Sequence, residues 1–75
     1  MICEKRTFAV GKFEFSITIQ SRETPARGTE YRWVWKDIKG PWKGYDWEVL
    51  EDGVFIVKQI IKKYWDFPAQ GSVGG

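Results

Sequence analysis

The clearest pattern in the chain is an alternation of apolar and polar positions over residues 12–20. Its apolar members are Phe13, Phe15, Ile17 and Ile19. Successive side chains of an extended strand point to opposite faces, so this period predicts a strand with one buried and one solvated face. Residues 7–10 lead into Gly11-Lys12, which indicates either a tight turn after a short first strand or one long strand bent at Gly11.

Two later segments repeat this alternation with aromatic side chains. The apolar positions are Tyr31, Trp33 and Trp35 in the first segment and Tyr45, Trp47 and Val49 in the second. These residue types favour strands, so we expect a strand in each segment. Residues 21–29 contain a proline and a glycine among polar residues and predict an exposed, flexible connection. Residues 37–44 place two glycines and a proline around Trp42 and predict a loop.

Residues 53–67 have two interpretations. Asp52-Gly53 between apolar runs is typical of a β-hairpin turn. The spacing of polar and apolar positions favours a helix instead, with Asp52 as its N-cap and Pro68 as its stop. The polar positions are Lys58, Gln59, Lys62, Lys63 and Asp66, and the apolar stripe is Val54, Val57, Ile60, Ile61, Tyr64 and Trp65.

Together these elements predict an α+β fold, with a small antiparallel sheet of three to four strands followed by one C-terminal helix packed on it. We expect residues 1–68 to form a single α+β domain and residues 69–75 to be a flexible, glycine-rich tail. A chain of 75 residues is near the lower limit for folding without a disulfide, a metal or a second subunit. A homodimer is therefore a candidate assembly.

The composition argues against catalysis. The chain has no histidine and a single cysteine, Cys3, so the usual general base at neutral pH, a Cys-His pair and a disulfide are all missing. We expect no enzyme activity, no cofactor and no metal site. The chain also has neither an apolar run long enough for a membrane span nor a signal-peptide pattern at its start, so we expect a cytoplasmic protein without membrane contact.

The five tryptophans are too many for so small a core. A domain of this size buries only roughly 60% of the surface that its unfolded chain exposes, so some aromatic surface is expected to face a partner. We expect Trp33, Trp47 and Trp65 to pack between the sheet and the helix. Trp35 is expected to be half exposed at the end of its strand, and Trp42 has no explanation in packing.

The basic residues are concentrated in the segment that also contains Trp35 and Trp42. The net charge is +2, but residues 21–43 hold six basic and three acidic residues, whereas residues 44–57 hold four acidic residues and no basic one. Proteins that hold single-stranded nucleic acid combine cations along the phosphates with rings on which bases stack, each stacked base contributing roughly 1–3 kcal/mol. The candidate nucleic-acid-binding or partner-binding residues are Arg32, Trp35, Lys36, Lys39, Trp42 and Lys43.

An alternative for the same residues is purely structural. Arg32 and Lys36 would form cross-strand ion pairs with Glu14 or Glu30, and Trp42 would fold back over the core. We weigh the two interpretations equally.

The order of elements over residues 13–65 resembles the single-stranded-DNA-binding transcriptional coactivators and their Whirly and purine-element-binding relatives. The resemblance lies in the strand at residues 30–36, the basic turn ending Trp42-Lys43-Gly44, and the segment that leads to the helix around Val57. It implies four strands and a helix, dimerisation through the helix and sheet edges, and binding of unpaired strands on the sheet. By this resemblance, DNA contacts are expected at Arg32, Lys36 and Lys43, and also at Trp35.

Two functions of different classes are therefore expected. The first is nonenzymatic binding of single-stranded DNA or RNA through the basic and aromatic surface. The second is that of a small phage or mobile-element protein that binds and inhibits a host protein, in the manner of anti-defence or anti-CRISPR proteins, through exposed aromatic side chains.

Overall fold

The computed structural model of the chain describes residues 2–64. Four strands form one antiparallel sheet in sequence order: β1 at Ile2–Val10, β2 at Phe13–Thr24, β3 at Gly28–Trp35 and β4 at Ile38–Lys39. A single helix follows, α1 at Asp46–Tyr64. The expected α+β fold, with a helix after the sheet, is confirmed. The tail at residues 69–75, Trp65 and the expected helix stop at Pro68 lie outside the described residues.

The sheet is built from consecutive hairpins. Val10 pairs with Phe13 across the two-residue turn Gly11-Lys12, and Gly11 has a φ of 58°, which favours glycine. Of the two alternatives for this segment, the turn is therefore the one observed. The first strand is longer than expected, since β1 begins at Ile2.

The expected flexible connection over residues 21–29 is wrong. β2 continues to Thr24, and β3 begins at Gly28 after a three-residue turn, with Ser21 paired to Tyr31 and Glu23 to Thr29. Polar contacts hold this part of the hairpin, including a hydrogen bond of 2.6 Å from Thr29 Oγ1 to Glu23 Oε2. Apolar alternation is missing here because polar side chains occupy both faces of the ribbon.

One face of the sheet carries the core, which α1 covers mainly over β3 and β2. The buried apolar residues are Phe15, Ile17, Ile19, Trp33, Trp35, Val49, Val57 and Ile61. Trp33 lies in this core as expected. Trp35 is only 7% exposed, so the expectation of a half-exposed ring is wrong, because its strand position faces the helix beside Ile61.

The expected strand over residues 45–50 is also wrong, since α1 already begins at Asp46. Trp47 is 60% exposed and does not pack between the sheet and the helix. A helix turns by about 200° over two residues, so Trp47 and the buried Val49 lie on opposite sides. Asp52 is an interior residue of α1 and therefore not its N-cap. Within residues 2–64, no helix is long and apolar enough to cross a membrane.

The buried stripe of α1 contains a glycine where the helix meets the sheet. Val49, Gly53, Val57 and Ile61 recur every four residues along this stripe. A Cβ atom at Gly53 would lie 2.9 Å from Cβ and Cγ of Trp33. Gly40 adjoins the same indole from the edge of the sheet, and its N–H donates to the Trp33 carbonyl over 2.9 Å. The Trp33 side chain thus contacts two segments that have no side chain at the point of contact.

We predict that Gly40→Ala lowers the free energy of unfolding by about 2 kcal/mol, because the added Cβ overlaps the Trp33 indole and overpacking costs roughly 1–3 kcal/mol. Gly44→Ala is the matched control in the same loop, since a Cβ atom there meets nothing within 4 Å. Urea denaturation followed by tryptophan fluorescence measures both. Equal stabilities for the two variants would contradict the close packing at Gly40.

Candidate nucleic-acid interface

The sheet face opposite α1 is the candidate interface, and we call it the open face. Directly paired residues of antiparallel strands point to the same side, so the register assigns each side chain to a face. Thr7 and Ser16 are paired in this way and share a hydrogen bond of 3.1 Å between their hydroxyls. The open face comprises Cys3, Lys5, Thr7, Ala9, Glu14, Ser16, Thr18, Gln20, Arg22, Glu30, Arg32, Val34 and Lys39.

A bulge brings Trp42 to this face. Gly40 is bonded to Trp33, and Lys43 exchanges two backbone hydrogen bonds of 2.7 Å with Tyr31. Between these bonded positions, the single residue Arg32 of β3 is opposed by two residues, Pro41 and Trp42, which is the pattern of a β-bulge. Lys43 consequently lies on the helix side, where its ammonium pairs with Asp52, and Trp42 lies on the open face.

Two arginines lie over the Trp42 ring. Cζ of Arg22 is 4.0 Å from the ring centroid, and Cζ of Arg32 is 4.6 Å from it. Both distances are within the range of cation–π attraction. Trp42 itself is half-buried.

Neighbouring polar side chains orient both arginines. Arg32 Nε donates to Gln20 Oε1 over 2.6 Å, and Arg22 donates to Glu30 Oε1 from Nε over 3.1 Å and from Nη2 over 2.9 Å. The Glu30 residue is 3% exposed, and Arg27 pairs with its second oxygen over 3.2 Å. A buried carboxylate needs such partners. Glu30 therefore anchors Arg22 beside the ring.

The structural alternative predicted an ion pair of Arg32 with Glu14 or Glu30, and a Trp42 ring that folds back over the core. The observed contacts differ from both predictions. The side chain that pairs with Glu30 from the neighbouring strand is Arg22, whereas Arg32 bonds to Gln20. Trp42 lies over the two arginines on the face opposite the core.

The residues expected to form the site are divided among three places. Arg32, Lys39 and Trp42 share the open face, where Lys39 pairs with Val34. Trp35 is buried and Lys43 is paired with the helix. Lys36 lies in the turn between β3 and β4 with a φ of 56°, and its ammonium is 4.6 Å from the centroid of the Trp35 ring.

Arg22, Gln20 and Glu30 also belong to the site, although they were not predicted from the sequence. The sequence does contain a pattern that places two of them on the solvated face, because Gln20 and Arg22 follow Thr18 at the strand spacing of two residues. This pattern was not extended to Arg22 because residues 21–29 were predicted to be a loop. In the part of the chain that the structure describes, no cluster of three or more His, Cys, Asp or Glu side chains is placed to hold a metal ion.

We predict that replacing Trp33 and replacing Trp42 by alanine have different effects on the free energy of unfolding. Trp33→Ala should lower the free energy of unfolding by about 3–5 kcal/mol, as expected for a buried aromatic ring. Trp42→Ala should lower the free energy of unfolding by about 1 kcal/mol, because the contacts that it removes are cation–π contacts of a half-buried ring. Urea denaturation curves give both values. A loss at Trp42 as large as that at Trp33 would mean that Trp42 belongs to the core.

No protein-family model, curated protein or solved structure matches this chain. We therefore infer the function from the geometry of the open face and from the chemistry of its side chains. The resemblance to the single-stranded-DNA-binding coactivators remains a prediction from the sequence.

Proposed function

We propose that this chain is a nonenzymatic binding module that holds single-stranded DNA or RNA on the open face. The observation that carries the proposal is the cluster of Trp42, Arg22 and Arg32, with the two guanidinium groups 4.0 and 4.6 Å from the ring centroid. The ring offers a surface for stacking and the arginines offer charge for phosphates, which is the combination that single-strand binders use.

The surroundings of this cluster suit a nucleic-acid strand. Lys39 lies on the same face and adds a cation at the edge of the sheet. Ser16, Thr18 and Gln20 form a row of polar side chains along β2 that can bond to base edges or sugars. Glu30, the carboxylate that pairs with Arg22 and Arg27, is only 3% exposed, so the accessible charged groups of the cluster are the guanidinium groups.

An unpaired strand fits this surface better than a duplex. Stacking on Trp42 needs the exposed face of a base, and bases are available for stacking only where the strand is unpaired. The resemblance to the single-stranded-DNA-binding coactivators supports the same ligand and applies to Arg32. It does not extend to Trp35 and Lys43, which lie on the helix side.

We propose a second candidate function, binding and inhibition of a host protein, on a different surface. Tyr45, Trp47 and Phe55 are all largely exposed at and along α1, with Phe55 62% exposed. Aromatic side chains are enriched where protein interfaces have their strongest contacts. Glu48 and Glu51 lie beside them on the helix, so a basic partner surface would be complementary.

We predict that the chain binds a labelled single-stranded oligonucleotide at low salt and that the logarithm of the affinity falls linearly with the logarithm of the salt concentration, with a slope of about −0.7 per phosphate contact. Trp42→Ala should weaken binding roughly tenfold or more, since one stacked base contributes roughly 1–3 kcal/mol. Trp47→Ala, which alters an exposed ring on the other side of the molecule, should leave affinity unchanged. Fluorescence anisotropy measures the affinities of the wild type and of both variants. If the wild type binds no homopolymer at low salt, the proposal is refuted.

For the second candidate function, we expect the chain to capture a partner from nuclease-treated host lysate. Replacement of Trp47 and Phe55 by alanine should abolish this capture, whereas Trp42→Ala should retain it, because Trp47 and Phe55 are exposed on α1 and Trp42 lies on the open face. Immobilised wild-type and variant proteins with mass spectrometry provide the measurement. Loss of every partner after nuclease treatment would count against this function.

A further inference from the structure

We propose that two copies of this chain pair through β1, edge to edge and antiparallel, about a two-fold axis at Lys5. This pairing uses the outer edge of β1 and does not depend on the proposed function. β1 is a nine-residue strand at one end of the sheet, and β2 is its neighbour on one side. Its register with β2 is continuous from Ile2 to Val10, without a bulge or a proline to block further pairing.

Within residues 2–64, β1 pairs with β2 on one side, and the turn determines which backbone groups of β1 point to the other side. A two-residue hairpin closes on a hydrogen-bonded pair, here Val10 and Phe13, and the bonding direction alternates along the strand. Even-numbered residues of β1 therefore bond to β2. The N–H and C=O groups that point away from β2 belong to Cys3, Lys5, Thr7 and Ala9.

Charge favours the register centred on Lys5. In an antiparallel pair with this centre, Glu4 lies opposite the Arg6 of the second copy, and Arg6 opposite its Glu4. A centre at Glu4 or at Arg6 would place like charges opposite one another without pairing Glu4 with Arg6, which is unfavourable. Lys5 meets its equivalent on the solvated open face, where the two long side chains can diverge.

Within one copy, the Arg6 side chain lies on the sheet face that α1 covers, which is where it would meet the Glu4 of the second copy. It donates to Asp46 over 2.8 Å and to Glu4 over 3.3 Å. The hydrogen bond to Glu4, opposed by desolvation and aided by the charge of Asp46, raises the pKa of the Arg6 guanidinium above its usual value. Arg6 therefore stays charged at the edge.

The same register accounts for exposed apolar surface. Ile2 is 73% exposed, and in this pairing it lies opposite the Phe8 of the second copy. Phe8 borders a groove between β1 and α1 that is also lined by Leu50, Val54 and Phe55. The axis is perpendicular to the sheet, so both helices lie on one side and each Ile2 enters the groove of the other copy.

The assembly would be a continuous sheet of eight strands, twice the four of one copy. Its open faces join into one surface that carries two clusters of Trp42, Arg22 and Arg32. The apolar contacts and the ion pairs lie on the helix side, and the joined open face stays accessible.

Proline substitutions on the free edge test the pairing. Lys5→Pro removes an N–H that points away from β2, so it should leave the monomer folded and abolish the central hydrogen bonds between copies. Ala9→Pro is the matched control on the same edge, because Ala9 lies four residues from the axis, beyond the partner's Ile2. Sedimentation equilibrium should show a concentration-dependent dimer for the wild type and for Ala9→Pro, and a monomer for Lys5→Pro with unchanged near-ultraviolet circular dichroism.

A charge reversal tests the register without touching the backbone. Glu4→Lys should weaken dimerisation roughly tenfold, because the new ammonium lies opposite the second copy's arginine. Glu14→Lys, an exposed reversal on the open face of β2, should leave dimerisation unchanged. A wild-type chain that stays monomeric up to millimolar concentration, or a dimer that tolerates Glu4→Lys or a folded Lys5→Pro, would overturn the proposal. If Lys5→Pro does not fold, the Glu4→Lys comparison decides the question.

Discussion

Trp33 packs against Gly53 of α1 and against Gly40 at the sheet edge, and this contact sets how closely the helix approaches the sheet. An indole of this size fits between the helix and the edge of the sheet because neither segment has a side chain where it meets the ring. The helix therefore approaches β3 closely, and its apolar stripe covers one face of the sheet. The other face is left for polar and charged residues.

The same contact connects the core to the candidate site. Gly40 is bonded to Trp33, and the chain from Gly40 to Lys43 bulges before it returns to β3. The bulge places Lys43 toward the helix and Trp42 toward the open face. Cross-strand partners then hold the arginines beside Trp42, so the site is supported by the core below it and by hydrogen bonds around it.

The sequence predicts the fold class, because the alternation of Phe13 to Ile19 and the apolar stripe around Val57 are both strong signals. The start of the helix is missed for a physical reason. Gly53 occupies a buried helical position that calls for an apolar residue, so the four-residue series from Val49 is interrupted, and the alternation of Tyr45 and Trp47 is typical of a strand. Arg22 is missed because a ribbon with polar residues on both faces shows no hydrophobic period.

Binding of a single strand on the open face beside Trp42 can be tested by a nuclear magnetic resonance titration with a single-stranded oligonucleotide. Each tryptophan side chain contributes its own indole N–H signal. We expect shifts in the Trp42 indole and in the backbone amides of Thr18, Gln20 and Arg32, with the Trp47 indole unmoved. Shifts confined to Trp47 and its neighbours on α1, or no shifts at low salt, would contradict it.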